Sequence, residues 1–160
     1  MNNTTQNIIH ILDAHTANQI AAGEVVERPF SVVKELVENA IDAGATRIVV
    51  HLYDSSCERI RVSDNGCGMS PSDLRMCIQR HATSKISNAG DLHRLSTLGF
   101  RGEALPSIAS VSVMTIISKL AKGETAYQIT VEGGKAGLPE ECAGTNGTVV
   151  LVDRLFYNAP

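Results

Sequence analysis

From Ser31 to Gly44, SVVKELVENAIDAG, apolar residues recur at helical spacing, and from Arg47 onward the spacing drops to two. A chain that changes period so abruptly is expected to lay a helix against a sheet. Val33, Leu36, Val37, Ala40 and Ile41 fall at i, i+3, i+4, i+7 and i+8, a stripe that must be covered. The opposite stripe holds Glu35, Glu38, Asn39 and Asp42, with no Lys or Arg among them. A solvated helix face normally mixes signs to gain i,i+4 pairs. An unmixed one suits a magnesium ion or a water awaiting deprotonation. A plainly acidic surface is the other reading of this stripe taken alone.

Around this helix the remaining elements follow. Thr16 caps an expected short helix through Ala22 that Gly23 ends; Pro29 and Ser31 then open the two-faced helix and Gly44 closes it. Ile48, Val50 and Leu52 alternate with Arg47, Val49, His51 and Tyr53, which predicts a half-buried strand, and a turn at Ser55 and Ser56 leads to a second. In that second strand, RIRVSD, Ile60, Val62 and Asp64 share one face. An acid ending an apolar row is either solvated at the strand tip or turned to a pocket. Ser70 and Asp73 start a helix expected to reach about Arg80. From Arg80 to Leu105 the pattern dissolves into a long loop with one helical turn near Asp91, and such loops are more often functional than idle. Then come the strands SVMTIIS, AYQITV and TVVLVD, parted by turns at Lys122-Gly123, Gly133-Gly134 and Asn146-Gly147. The expectation is an α+β domain of two layers, with a mixed, mainly antiparallel sheet and helices on one face.

Bulk properties exclude more than they assign. The 160 residues, 43% hydrophobic, suffice for one globular core. A net charge of −3 and a pI near 5.9 leave no basic footprint from which to argue nucleic-acid binding. The N-terminus lacks a basic start and an apolar core, and no run approaches the roughly 18 apolar residues of a membrane span. A cytoplasmic location is the default. Cys57, Cys67, Cys77 and Cys142 form no CxxC pair, and the five histidines are scattered, so reduced thiols and no zinc site are expected.

Three further segments carry chemistry. In DNGCGM, Asp64 to Met69, an acid precedes a glycine-rich turn that lets backbone approach a ligand. RHATSK, Arg80 to Lys85, gathers cations and hydroxyls, and GFRGEAL, Gly99 to Leu105, puts glycines before a helix start, where free N–H groups suit phosphate. Each also has an ordinary reading: an Asx-type turn, a polar loop, a turn. Together with the acid–Asn face they supply parts for metal, base and polyphosphate, while the absence of GxxxxGK[ST] rules out a P-loop.

VVKELVENAIDAGAT, DNGCGM, RHATSK and LGFRGEAL, in this order, closely resemble the N-terminal ATPase domain of the MutL family of DNA mismatch repair proteins, a branch of the GHKL superfamily; ANQIAAGEVVERP resembles that family's leading segment. The resemblance runs from about Ile11 to the last residue. It implies the GHKL two-layer sandwich over residues 1–160, and the short N-terminus points to a bacterial member. By resemblance, Glu35 is the general base for the water that attacks the γ-phosphate, and Asn39 is a ligand of the bridging magnesium. Asp64 accepts from the adenine amino group, Gly66 and Gly68 allow close approach to the base, and Met69 lines the nucleotide. Thr83, Ser84 and Lys85 flank the nucleotide or the hinge of a lid. Gly99, Phe100, Arg101, Gly102, Glu103, Ala104 and Leu105 form that lid over the triphosphate. Thr148 closes the site near the base, whereas Glu38 and Asp42 only shape the field and His81 packs the loop.

The implied activity is magnesium-dependent ATP binding with slow hydrolysis, acting as a nucleotide switch in mismatch repair. The implied partners are a mismatch-recognition protein, downstream repair enzymes, mismatched DNA and, through ATP, a second copy of the chain in a homodimer; no membrane is involved. Two alternatives stay open. One is a nucleotide-responsive binding module without turnover, because the chain stops at LFYNAP and the resembled proteins continue into a second domain that gives a lysine to the γ-phosphate. The other is a phosphotransferase of the histidine-kinase type, which needs an acceptor-His helix and a dimerisation segment before the ATP module, where only about 30 residues precede the acidic helix.

Overall fold

The computed structural model describes residues 9–54, 58–80 and 103–159. Among the described residues, four helices and seven strands follow in chain order: α1 Ala14–Val25, α2 Pro29–Asp42, β1 Ile48–Tyr53, β2 Arg59–Asp64, α3 Pro71–Cys77, α4 Ala104–Ser110, β3 Val113–Lys119, β4 Ala126–Glu132, β5 Lys135–Ala136, β6 Glu140–Cys142 and β7 Gly147–Asp153. The strands form one sheet in the order β1-β2-β7-β3-β4-β5, with β6 also on β4. Every pairing between described strands is antiparallel, a more uniform sheet than the mixed one expected. β7, last in sequence, sits at the centre, between β2 and β3.

Strand parity shows how the layers meet. Ile60 and Val62 of β2, Met114 and Ile116 of β3, Ile129 and Val131 of β4, and Val150 and Val152 of β7 join one buried cluster with Val32 and Leu36 of α2, Leu74 of α3 and Ile108 of α4. The helices therefore cover a single face of the sheet, as expected. β3 reads as a strict alternation in which Met114, Ile116 and Ser118 are buried and their neighbours are half-buried.

Local chemistry sets the helix ends. Asp13, rather than Thr16, caps α1: its carboxylate accepts from the Thr16 N–H at 2.9 Å, and the helix runs past Gly23 to Val25. Pro29 occupies the first turn of α2, where its missing N–H costs nothing. The α2 stripe is rotated from the expected one. Val32, Leu36 and Ala40 are buried, Val33 and Val37 pack beside them, and Ile41 is 48% exposed. The reason is position, since α2 lies over β1 and β2 and β1 is the sheet's edge, so one flank of the helix has no neighbouring strand. α3 starts at the expected Ser70 cap but stops at Cys77, three residues early, where Gln79 N–H returns to the Met76 carbonyl at 3.0 Å and tightens the last turn. The turn at Ser55 and Ser56, the helical turn near Asp91, and His81 lie outside the described residues.

Candidate functional site

At the end of the sheet where β2 stops, Asp64 stands opposite Thr148 of β7, and Thr148 stands opposite Ser118 of β3. Parity puts all three on the helix-covered face, giving a polar row where the same rows further in are apolar. Asp64 is half-buried and accepts the Gly66 N–H at 2.8 Å. Burial pushes its carboxyl above the ordinary range, and backbone N–H groups of Gly66 and Thr148 pull the other way. The result is an acceptor held in place at the end of the polar row.

Beyond Asp64 the chain is clamped to the end of α2. Asn65 Oδ1 accepts the N–H groups of Thr46 and Arg47, both at 2.9 Å, and its Nδ2 donates to Thr46 Oγ1 at 2.9 Å. Cys67 N–H donates to the Ala43 carbonyl at 3.0 Å. A side chain on Gly66 would meet the Ala43 Cβ and carbonyl, each at 2.8 Å; Gly68, at φ +70°, would drive one into the Lys119 carbonyl. The two glycines are thus required by the chain's own contacts, a reason separate from the approach of a ligand expected from sequence. Met69 packs on the core, and its N–H donates to Ser118 Oγ at 2.8 Å.

The clamp fixes how the α2 face stands relative to Asp64. Ala43, which touches the Gly66 turn, donates its N–H to the Asn39 carbonyl at 3.0 Å. Asn39 is thus about 6 Å and Glu35 about 12 Å along the axis from that contact, at 1.5 Å per residue. Both are half-buried, as is Asp42. Glu38 is half-buried too, and it pairs with Lys34 at 3.4 Å.

Of the expected lid, Glu103, Ala104 and Leu105 are described; Thr83, Ser84, Lys85, Gly99, Phe100, Arg101 and Gly102 lie outside the described residues. Glu103 Oε2 accepts from Arg80 Nε at 2.8 Å, so its carboxylate serves a cation of the chain. Leu105 packs against the core and Ala104 opens α4. Sequence reasoning missed Asn65 and Ser118, and took Arg80 only as one cation of the RHATSK cluster. Only Ser118 carried a readable signal, a hydroxyl on the apolar parity of a strand. A separate depression of about 620 Å³ lies at the far end of the sheet between Tyr53, Glu58, Arg59 and Asp153, where Arg59 and Asp153 pair with each other.

Residues 27–137 match the family model of the histidine kinase-, DNA gyrase B- and HSP90-like ATPases. The DNA mismatch repair protein MutL of Syntrophotalea carbinolica is 55% identical over 152 residues, covering 95% of this chain and 24% of its own length. That of Heliobacterium modesticaldum is 53% identical over 153 residues, covering 96% and 23%. The chain thus spans about a quarter of the length of the curated relatives it matches. Among solved structures, the Aquifex aeolicus MutL ATPase domain complexed with ADP superposes with a TM-score of 0.64 at 34% identity, covering 85% of this chain and 46% of that one. The N-terminal domain of a DNA repair protein reaches 0.73, also at 34% identity, covering 90% and 40%. The chain belongs to the histidine kinase-, DNA gyrase B- and HSP90-like ATPase family.

Proposed function

We propose that this chain binds ATP together with magnesium and hydrolyses it slowly, as the nucleotide switch of a MutL-type mismatch repair protein. The observation that carries the reading is the alignment of three groups. A half-buried carboxylate sits at Asp64, and the amide residue Asn39 and the carboxylate residue Glu35 follow about one and two turns along the helix clamped to it. That order, base end then metal then general base, follows a nucleotide from its purine to its γ-phosphate. The ADP complex of the similar Aquifex aeolicus domain supports it.

In this reading Asp64 accepts from the adenine amino group, with Gly66, Gly68, Met69 and Thr148 around the base. Thr83, Ser84 and Lys85 flank the nucleotide, and Gly99 to Leu105 cover the triphosphate, with Glu103 acting through Arg80. The fit to magnesium rests on donor chemistry. Among the described residues no group of three or more His, Cys, Asp or Glu side chains converges, and a hard cation held by phosphate oxygens, water and one amide oxygen from Asn39 needs none. When bound, magnesium neutralises charge on the phosphates. Glu35 orients a water and takes its proton as the water oxygen bonds to the γ-phosphorus and the bond to the ADP oxygen breaks.

Glu35→Ala should retain ATP binding and lose turnover; unchanged turnover in this variant would remove Glu35 as the base. Asn39→Ala should lose the magnesium-dependent part of binding. Calorimetry with ATP, ADP and a non-hydrolysable analogue, with and without magnesium, tests the site as a whole. Equal, magnesium-independent binding of all three counts against it. Because the chain spans under half of the ADP-complexed domain, binding without turnover is the second reading, and phosphate release from wild type separates the two. Mismatched DNA, a mismatch-recognition protein, downstream repair enzymes, an ATP-dependent homodimer and a cytoplasmic location belong to the same proposal by the family resemblance, and the relatives' names support the mismatch-repair part of it.

A further inference from the structure

Ser118 is 1% exposed on the face of β3 that otherwise carries Met114 and Ile116, both fully buried. A hydroxyl there is costly unless bonded, and a small apolar residue would pack as well. Its oxygen has three partners: it accepts the Met69 N–H at 2.8 Å, lies 3.1 Å from the Gly147 carbonyl, and lies 2.8 Å from Thr148 Oγ1. Serine owns one hydrogen. If it goes to Gly147, Thr148 must donate to Ser118 and can show only lone pairs elsewhere. If it goes to Thr148, the Thr148 hydrogen is released toward the neighbouring Asp64 side of the site.

Asp64, next in the row, can only accept when ionised. An adenine edge shows a donor, its amino group, beside an acceptor, its ring N1; a 6-oxopurine shows the reverse. Asp64 beside a donating Thr148 complements adenine and opposes the 6-oxopurine at both positions. We propose that Ser118 is a specificity-determining positioning residue, whose hydrogen, given to Thr148 Oγ1, turns Thr148 into a donor and so selects adenine over 6-oxopurine nucleotides. The proposal rests on the reading of this row as the base end of a nucleotide site. Ser118 touches no ligand and acts through Thr148 and the Met69 amide.

The test is titration of ATP and ITP into wild type, Ser118→Ala, Thr148→Val and the double variant, with melting curves for each. Wild type should prefer ATP by about a hundredfold. Ser118→Ala should cut that preference about tenfold, the worth of one hydrogen bond. Thr148→Val should cut it comparably, and the double variant no further, because the two act as one unit. Ser118→Thr, which restores the hydroxyl, should recover the preference and serves if the alanine variant fails to fold. Equal losses for ATP and ITP in Ser118→Ala, leaving the ratio at the wild-type value, would mean mere packing and overturn the proposal alone. A wild type that binds neither nucleotide, or both equally, overturns the nucleotide reading with it.

Discussion

In the proposed nucleotide site, Asp64 is the residue where function and stability pull in opposite directions. Its burial holds the carboxyl above the ordinary carboxylate range despite amide donors from Gly66 and Thr148, so the folded chain binds that proton more tightly than the unfolded one. The associated stability is fully present below the ordinary value and is lost as pH rises through the raised one. Asp64→Asn has no charge to desolvate. Its melting temperature relative to wild type should therefore be higher near pH 7 than near pH 4, while adenine binding is lost. A difference that stays constant between those pH values would refute the assignment. Gly68 is constrained by sterics instead. At φ +70° and against the Lys119 carbonyl, Gly68→Ala should cost more than about 2 kcal/mol, since the left-handed backbone alone costs about 1–2 kcal/mol. Gly44, at φ +75° with nothing within 4 Å, should show only the backbone part. Urea midpoints of the two variants measure the contrast.

At the scale of elements, α2 separates what periodicity reveals from what it cannot. Its limits, its Pro29 start and the division into apolar and acidic faces were legible, because they depend on neighbours three and four residues away. Which residue at the stripe's margin would be covered was not, since that depends on α2 lying over an edge strand. Leu36→Ala should cost about 2–5 kcal/mol, whereas Ile41→Ala, at a site 48% exposed, should stay within about 0.5 kcal/mol. Similar losses in chemical denaturation would restore the stripe expected from spacing. The candidate site divides the same way. Asp64's face followed from strand parity. Its row partners did not, because Thr148 and Ser118 arrive from strands 84 and 54 positions later and meet it only through the register of β2, β7 and β3. Asn65 was read as a turn residue because its bonds to Thr46 and Arg47 reach back about 18 residues. The Arg80–Glu103 pair spans 23 positions, beyond any local pattern.

At the scale of the molecule, one buried cluster draws on α2, α3, α4 and four strands, so α3 should open only when the whole unit does. Cys77 on α3 can report this. Burial, with Asp73 nearby, pushes its thiol up to about 12, and its Sγ lies 3.2 Å from the Leu74 carbonyl. At pH 8 only about one native molecule in ten thousand then carries the thiolate. Cys67, in the turn after Asp64, is exposed. Iodoacetamide should therefore label exposed Cys67 in native molecules and Cys77 through unfolded ones, with peptide mass spectrometry resolving the two. When opening and closing outpace labelling, the Cys77 rate follows the unfolding equilibrium. Leu36→Ala, on a different helix, should then speed Cys77 labelling about thirtyfold or more, since each 1.4 kcal/mol lost is tenfold in that equilibrium. Cys67 should label at an unchanged rate in the same sample. If Cys77 labels equally fast in both proteins, α3 opens independently and the layers do not fold as one unit.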